Sequence, residues 1–260
     1  MKKHTPMQRQ YLQLKRQYPD CILLFRLGDF YEMFNEDAKK ASQILDIVLT
    51  ARGDGVDRWP MCGVPYHSVE GYVAKLLEAG ETVAIADQVE DASQAKGLVK
   101  RDVVRVVTPG TILESNMLDA ESNNYLAALI EHDSKIGIAA VDVSTGDFIA
   151  TETQGSIYDE QVLNEIARIG PAEVLLPEDF SKDQKIRKAL TEIGAKITTR
   201  PSTDFSARSA EKLIKNQFGV STLDGFGLGE KRIAVGACGA VLEYLHEVHK
   251  MNAVTVSGLR

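Results

Sequence analysis

The period of the apolar positions changes repeatedly along this chain, and each change marks an expected element. Met7, Tyr11, Leu12 and Leu14 recur at helical spacing behind Thr5-Pro6, an N-cap with proline at the first helical position, so a short amphipathic helix is expected over 7–17. Tyr18-Pro19-Asp20 ends it. The run Ile22-Leu23-Leu24-Phe25 has the length of a buried strand, and Gly28 behind it marks a bend, a bulge or a close backbone approach. If the chain stays extended beyond, Phe30, Glu32 and Phe34 share one face and Asp29, Tyr31 and Met33 the other. A helix capped at Asn35-Glu36-Asp37 should run to about Leu45, its early acids favoured by the helix dipole. A strand is expected over 47–50, a polar turn over 51–57, a helix from His67-Ser68 stopped by Gly80, and strands over 82–86 and 103–107.

Periodicity fades between Thr108-Pro109-Gly110-Thr111 and Asn124, where turn chemistry takes over. Strands then follow over 125–130, 136–143 and 146–151, with Ser144-Thr145-Gly146-Asp147 as a hairpin turn. Helices over 159–169, 182–193, 204–217 and 231–250 alternate with strands over 173–176 and 196–199. The expected organisation is therefore α/β: a mixed-sheet domain over 1–112, a linker over 113–124, and over 125–260 a second domain in the element order of a ribonuclease H-like fold.

At 260 residues, 44% hydrophobic and 26% charged, the chain has material for two cores. No apolar run reaches membrane-spanning length, and the start lacks a secretory pattern. Cys21, Cys62 and Cys238 are widely spaced and odd in number, which fits a reduced, cytoplasmic setting better than a disulfide framework or a zinc site. The net charge of −7 is unfavourable for contact with phosphates. Residues 1–118 hold 15 Lys and Arg against 16 Asp and Glu, a balance of −1, whereas 119–260 hold 15 against 21, a balance of −6. The second half is therefore not expected to be the main nucleic-acid contact, and binding by this chain alone should be weak.

A phenyl ring and a carboxylate two residues apart, Phe30 and Glu32, would project together beside a glycine. From pattern alone, the ordinary reading is a core phenylalanine next to a solvated glutamate. The segment 27–34, with Asp37-Ala38 after it, resembles however the Gly-Asp-Phe-Tyr-Glu signature of the MutS family of DNA mismatch repair proteins. The segments 60–67 (Pro-Met-Cys-Gly-Val-Pro-Tyr-His) and 107–111 (Val-Thr-Pro-Gly-Thr) resemble further segments of that family in the same order, and weaker likeness continues through 143–146, 170–173 and Phe226-Gly227. The resemblance implies a mismatch-recognition domain followed by a ribonuclease H-like connector domain. It implies that Phe30 wedges beside a mispaired or unpaired base from the minor groove while Glu32 hydrogen-bonds to a base. It implies mismatched double-stranded DNA and MutL as partners, the latter through the connector, and a cytoplasmic, nucleoid-associated homodimer. Lever, clamp and ATPase domains would lie further along a longer protein, and ATP and magnesium would be theirs.

Candidate phosphate contacts are Arg52, Arg58, Lys96 and Arg101, with Lys100 and Arg105 nearby, though each alone is more simply a solvated charge. Met61, Val64 and Pro65 are expected to pack under the wedge, and His67 to begin a helix. No catalytic residue and no metal ligand is assigned. A metal-dependent ribonuclease H-like nuclease is the rival reading, carried by Asp142 in mid-strand with Glu173, Glu178 and Asp179, but without recognisable metal spacing. A protein-docking module built on the acidic second domain is a third. ATP binding is not expected: in the segment 225–232 Lys231 lacks the preceding glycine and the following hydroxyl of a phosphate loop.

Overall fold

The computed structural model describes residues 4–53, 58–90, 99–114, 117–118, 122–249, 256 and 258–260. The chain divides into two compact units, Met1–Thr108 and Pro109–Arg260.

The first unit opens with helix α1 (Pro6–Gln17), fixed by a reciprocal cap: Gln8 N–H donates to Thr5 Oγ1 at 3.2 Å and Thr5 N–H to Gln8 Oε1 at 2.9 Å. Strands β1 (Ile22–Leu27) and β2 (Phe30–Phe34), helix α2 (Asn35–Leu45), strands β3 (Thr50–Arg52) and β4 (Trp59–Pro65), helix α3 (Val69–Glu78), and strands β5 (Val83–Gln88) and β6 (Arg101–Val107) follow. The sheet order is β3-β4-β2-β1-β5-β6, with β1 parallel to β5 and the other pairs antiparallel. Tyr11 of α1 stands edge-on to Phe25 and Phe34, with ring centroids 5.7 and 5.0 Å apart, and Trp59 closes the same cluster.

Three local expectations are corrected here. The N-cap of α2 is Phe34, with no side-chain bond from the expected Asn35-Glu36-Asp37, and the first turn carries Glu36 and, as expected, Asp37. Asp37 is buried, and its carboxylate accepts from Tyr11 Oη (3.1 Å), Lys15 Nζ (2.8 Å) and Leu23 N–H (3.1 Å), tying α1, β1 and α2 together. Burial and this carboxylate push the Tyr11 phenol far above its ordinary range. The strand expected over 47–50 is displaced: Asp46, in the left-handed region at φ 52°, closes α2 through Ser42, and pairing begins only at Thr50 opposite Met61. Val48 is left 82% exposed. Strand β4 had no expectation, because Pro60, Gly63 and Pro65 break the alternation that a strand normally shows. Of the polar turn over 51–57, Ala51 and Arg52 are in strand and 54–57 lie outside the described residues.

The second unit begins at Pro109, before the boundary expected at 112. The reason is local: Gly110 N–H donates to the buried Glu173 carboxylate at 3.1 Å, and Asn124 Nδ2 to the Pro109 carbonyl at 2.8 Å. Strands β7 (Tyr125–His132), β8 (Lys135–Asp142) and β9 (Asp147–Gln154) form a meander. Helix α4 (Glu160–Ile169), strand β10 (Glu173–Pro177), helices α5 (Glu178–Ser181) and α6 (Gln184–Glu192), strand β11 (Lys196–Arg200), helices α7 (Ala207–Phe218) and α8 (Arg232–Val248), and strand β12 (Gly258–Leu259) complete it. The order β11-β10-β7-β8-β9-β12, with β10 parallel to both β7 and β11, is the ribonuclease H-like sheet with one short strand added at its edge. Val162 and Ile166 of α4 and Ile186 and Leu190 of α6 pack with Leu129, Ile136, Val174 and Leu176 in one core. The largely buried α8 packs on β7 and β8. No helix among the described residues is long and apolar enough to cross a membrane.

Candidate nucleic-acid interface

Strands β1 and β2 are joined by Gly28 and Asp29, with Leu27 paired to Phe30. Gly28 sits at φ +59° and Asp29 does not share the positive φ, the hairpin geometry that asks for glycine at its first central position. That tight turn places Phe30 at the tip. Phe30 is 47% exposed, whereas Tyr31, Met33 and Phe34 behind it are buried. Phe30, Glu32 and Phe34 do lie on one face of β2, opposite Pro65, Gly63 and Met61 of β4. Along this face burial rises steeply, because Tyr11 and Trp59 cover Phe34 while nothing described covers Phe30.

Glu32 is directed away from the apolar cluster: its carboxylate accepts from Arg52 Nη1 at 2.6 Å, with the Glu32 side chain 15% exposed and that of Arg52 48%. Arg52 pairs with Trp59 on the far side of β4, so the two strands flanking β4 supply one charge each. The face therefore offers an exposed phenyl ring, a carboxylate beside it, and a cation holding that carboxylate.

The other candidate cations separate. Arg58 is exposed just before β4. Lys96 lies outside the described residues. Lys100 is exposed and Arg105 half-buried opposite Ile85. Arg101 is corrected: it is 5% exposed, too deep to meet a phosphate, with Nε donating to the Arg26 carbonyl and Nη1 to the Val99 carbonyl at 2.6 Å. Its guanidinium also lies 5.2 Å from the Phe25 ring centroid. Burial pulls its pKa below the ordinary arginine value, with Asp87 opposing. Of the residues expected beneath the wedge, Pro65 is the cross-strand partner of Phe30, Met61 lies opposite Phe34, and the buried Val64 faces the other side with Tyr31. His67 is exposed in the short 3-10 turn Tyr66–Ser68 that leads into α3.

Two residues at the tip had not been singled out. Arg26, the one charge in the otherwise apolar β1, donates from Nε to the Gly28 carbonyl at 2.6 Å and places its guanidinium 3.7 Å from the centroid of Tyr66, itself 43% exposed. A lone cation in a buried strand pattern was the available signal.

In the second unit the two buried carboxylates of the rival nuclease reading, Asp142 and Glu173, are committed elsewhere. Asp142, 1% exposed, accepts from Asn124 N–H (3.1 Å), Ser144 N–H (2.9 Å) and Ser144 Oγ (2.6 Å), holding the β8–β9 turn. Glu173 is fully buried and accepts from Gly110 N–H, Thr198 Oγ1 (2.6 Å) and Tyr244 Oη (2.9 Å). Among the described residues no group of three or more His, Cys, Asp or Glu is placed to hold a metal ion.

A mixed-sheet unit with an aromatic and a carboxylate at its hairpin tip, followed by a ribonuclease H-like unit, defines the class of two-domain α/β protein to which this chain belongs. Family models described as MutS domain I and MutS domain II match residues 5–116 and 124–256. The chain is 46% identical over 259 residues to the DNA mismatch repair protein MutS of Symbiobacterium thermophilum, covering 99% of this chain and 30% of that protein. It is 45% identical over 261 residues to the protein of that name from Desulfatibacillum aliphaticivorans (99% and 29%), and 45% over 262 residues to that from Syntrophomonas wolfei (100% and 30%). The chain thus belongs to the MutS family, and it spans about 30% of the length of these relatives.

Proposed function

We propose that this chain senses mismatched or unpaired bases in double-stranded DNA during mismatch repair, with Phe30 inserted from the minor groove and Glu32 hydrogen-bonded to a base. The observation that carries this reading is the half-exposed Phe30 at the start of a strand whose other apolar residues are buried. An apolar wedge entering the minor groove unstacks a base step and kinks the duplex. Unstacking costs a few kcal/mol, least where the base is mismatched or unpaired. Stacking on an aromatic ring returns about 1–3 kcal/mol. At a paired step the cost exceeds the return; at a lesion the balance reverses. Discrimination then follows deformability rather than a base code, which suits a sensor that must accept many lesions.

Arg52 and Arg58 are the phosphate contacts of this reading, with Lys96 as a third. The chain itself needs no cofactor and performs no catalysis on this reading; ATP and magnesium are used by other domains of the full-length protein. That protein acts in the cytoplasm, associated with the nucleoid, as a homodimer, and the second unit supplies the docking surface for MutL. The deciding experiment compares binding to a duplex carrying one unpaired thymine with binding to its fully paired control, for the wild-type full-length protein and Phe30→Ala. The wild type should prefer the lesion, and Phe30→Ala should lose most of that preference. An unchanged preference refutes the reading.

A further inference from the structure

We infer that Arg26 and Tyr66 are positioning residues for Phe30: together they clamp the Gly28-Asp29 turn, so the ring is held ready for insertion before DNA arrives. This rests on the wedge reading above and extends it to residues that touch no base.

Both carbonyls immediately before Phe30 are held. The Gly28 carbonyl accepts from Arg26 Nε at 2.6 Å, and the Asp29 carbonyl accepts from the Tyr66 backbone N–H at 2.9 Å. The two donors are joined to each other, because the Arg26 guanidinium stacks on the Tyr66 ring at 3.7 Å. The same guanidinium lies 5.5 Å from the centroid of Tyr31, its cross-strand partner, whose hydroxyl donates to Asp87 at 2.7 Å. Arg26 is held in its turn, since its own carbonyl accepts from the buried Arg101. A chain of contacts therefore runs from the interior of the domain to the peptide that sets the direction of Phe30.

A cation–π stack on an exposed tyrosine contributes little to stability. Its value lies in what it holds still. A ring that already occupies its bound position loses less freedom on insertion than one that must first be ordered. The benefit appears only where the ring is inserted, at a lesion, and not on a paired duplex bound through phosphates alone. The planar fork of Arg26 both stacks and donates, two tasks that a lysine ammonium does not combine.

The test uses the full-length protein, the duplex with one unpaired thymine and its paired control, and the variants Tyr66→Leu, Tyr66→Phe, Arg26→Lys and Phe30→Ala. Three readouts are needed: the affinity ratio between the duplexes, the salt dependence of paired-duplex affinity, and the thermal midpoint. Tyr66→Leu and Arg26→Lys should lower the ratio about fivefold, the effect of one lost pre-ordering, with paired-duplex affinity and salt slope unchanged. Tyr66→Phe keeps the ring and the backbone donor and should match the wild type. An unchanged ratio in Tyr66→Leu overturns the inference, and so does failure of Tyr66→Phe to match. A loss of paired-duplex affinity with a shallower salt slope in Arg26→Lys overturns it too, making Arg26 a phosphate contact. Should Arg26→Lys lower the thermal midpoint below the assay temperature, the exposed Tyr66 pair decides alone. Wild-type preference in Phe30→Ala would instead remove the wedge reading beneath it.

Discussion

The guanidinium of Arg52 lies 2.6 Å from the carboxylate of Glu32, although strand β4 runs between the strands that carry them. In the absence of DNA each residue thus neutralises the other at the face proposed to meet phosphates and bases. Replacing Glu32 with Gln removes a negative charge from that face and frees Arg52 for a phosphate. Glu32→Gln should keep or tighten lesion binding, raise paired-duplex affinity several-fold, and so narrow discrimination. Arg52→Ala should weaken binding to both duplexes and reduce the salt slope by about one. Fluorescence anisotropy titrations over a range of salt concentrations measure both. A loss in Glu32→Gln as severe as in Phe30→Ala would reject this account of the pair.

Gly28 gives a prediction about the turn itself. Its φ is +59°, and a Cβ built there meets nothing within 4 Å. Gly28→Ala therefore carries only the backbone cost of a left-handed alanine, about 1–2 kcal/mol. The loss should appear as a lower urea midpoint with an unchanged slope, and Gly28→Asn should recover part of it. A loss much beyond this range would mean that the side chain meets something in solution.

How much of this was legible beforehand can be followed residue by residue. The order of elements in the second unit could be read because β7, β8 and β9 alternate or run apolar without interruption, with turn residues between them. Phe30 and Glu32 were placed on a common face by alternation alone. The partners of that face were not legible. Strand β4 is disguised by its prolines and glycine, and the apolar triplet 47–49 imitates a strand without pairing as one. Asp37 and Arg101 look like surface charges, since a sequence does not show which charged side chain finds a buried partner across the fold. The Arg26–Tyr66 stack joins a residue of β1 to one just beyond the C-terminal end of β4, a contact that only the sheet order creates.

Glu173 fixes where the second unit begins. Its buried carboxylate serves Gly110 N–H, Thr198 Oγ1 and Tyr244 Oη, and a Cβ on Gly110 would stand 2.8 Å from that of Glu173. Glu173→Ala strands these donors, at about 1–3 kcal/mol for each one left unsatisfied. Gly110→Ala overfills the contact, at about 1–3 kcal/mol. The two effects should fall short of additivity when combined, because shifting the Gly110 backbone off the Glu173 Cβ already disturbs the N–H bond that Glu173→Ala removes. Denaturant melts of the single and double variants test this, and full additivity would show that the two residues act separately.

Glu152 should contribute to the acid sensitivity of the second unit, as one of several carboxylates there held below their ordinary pKa. Its carboxylate, on β9, accepts from Ile233 N–H at 2.9 Å and lies 3.0 Å from Lys135 Nζ, so it caps the N-terminus of α8 from another element. Burial alone would raise its pKa, but the Lys135 ammonium and the helix amides outweigh burial and hold it below the ordinary carboxylate value. A group depressed in the folded state contributes stability above its unfolded pKa, near 4.3 for a free glutamate side chain, and that contribution is lost as pH falls through the lower folded value. Glu152→Gln keeps an accepting oxygen but removes the charge. At neutral pH it should cost about 0.3–1 kcal/mol, the worth of a charge at a helix end. The difference from wild type should shrink as pH is lowered through the region below about 4. Thermal melts of both proteins from neutral to acidic pH supply the comparison. A difference that persists undiminished in acid would mean that Glu152 acts through shape and hydrogen bonding rather than charge.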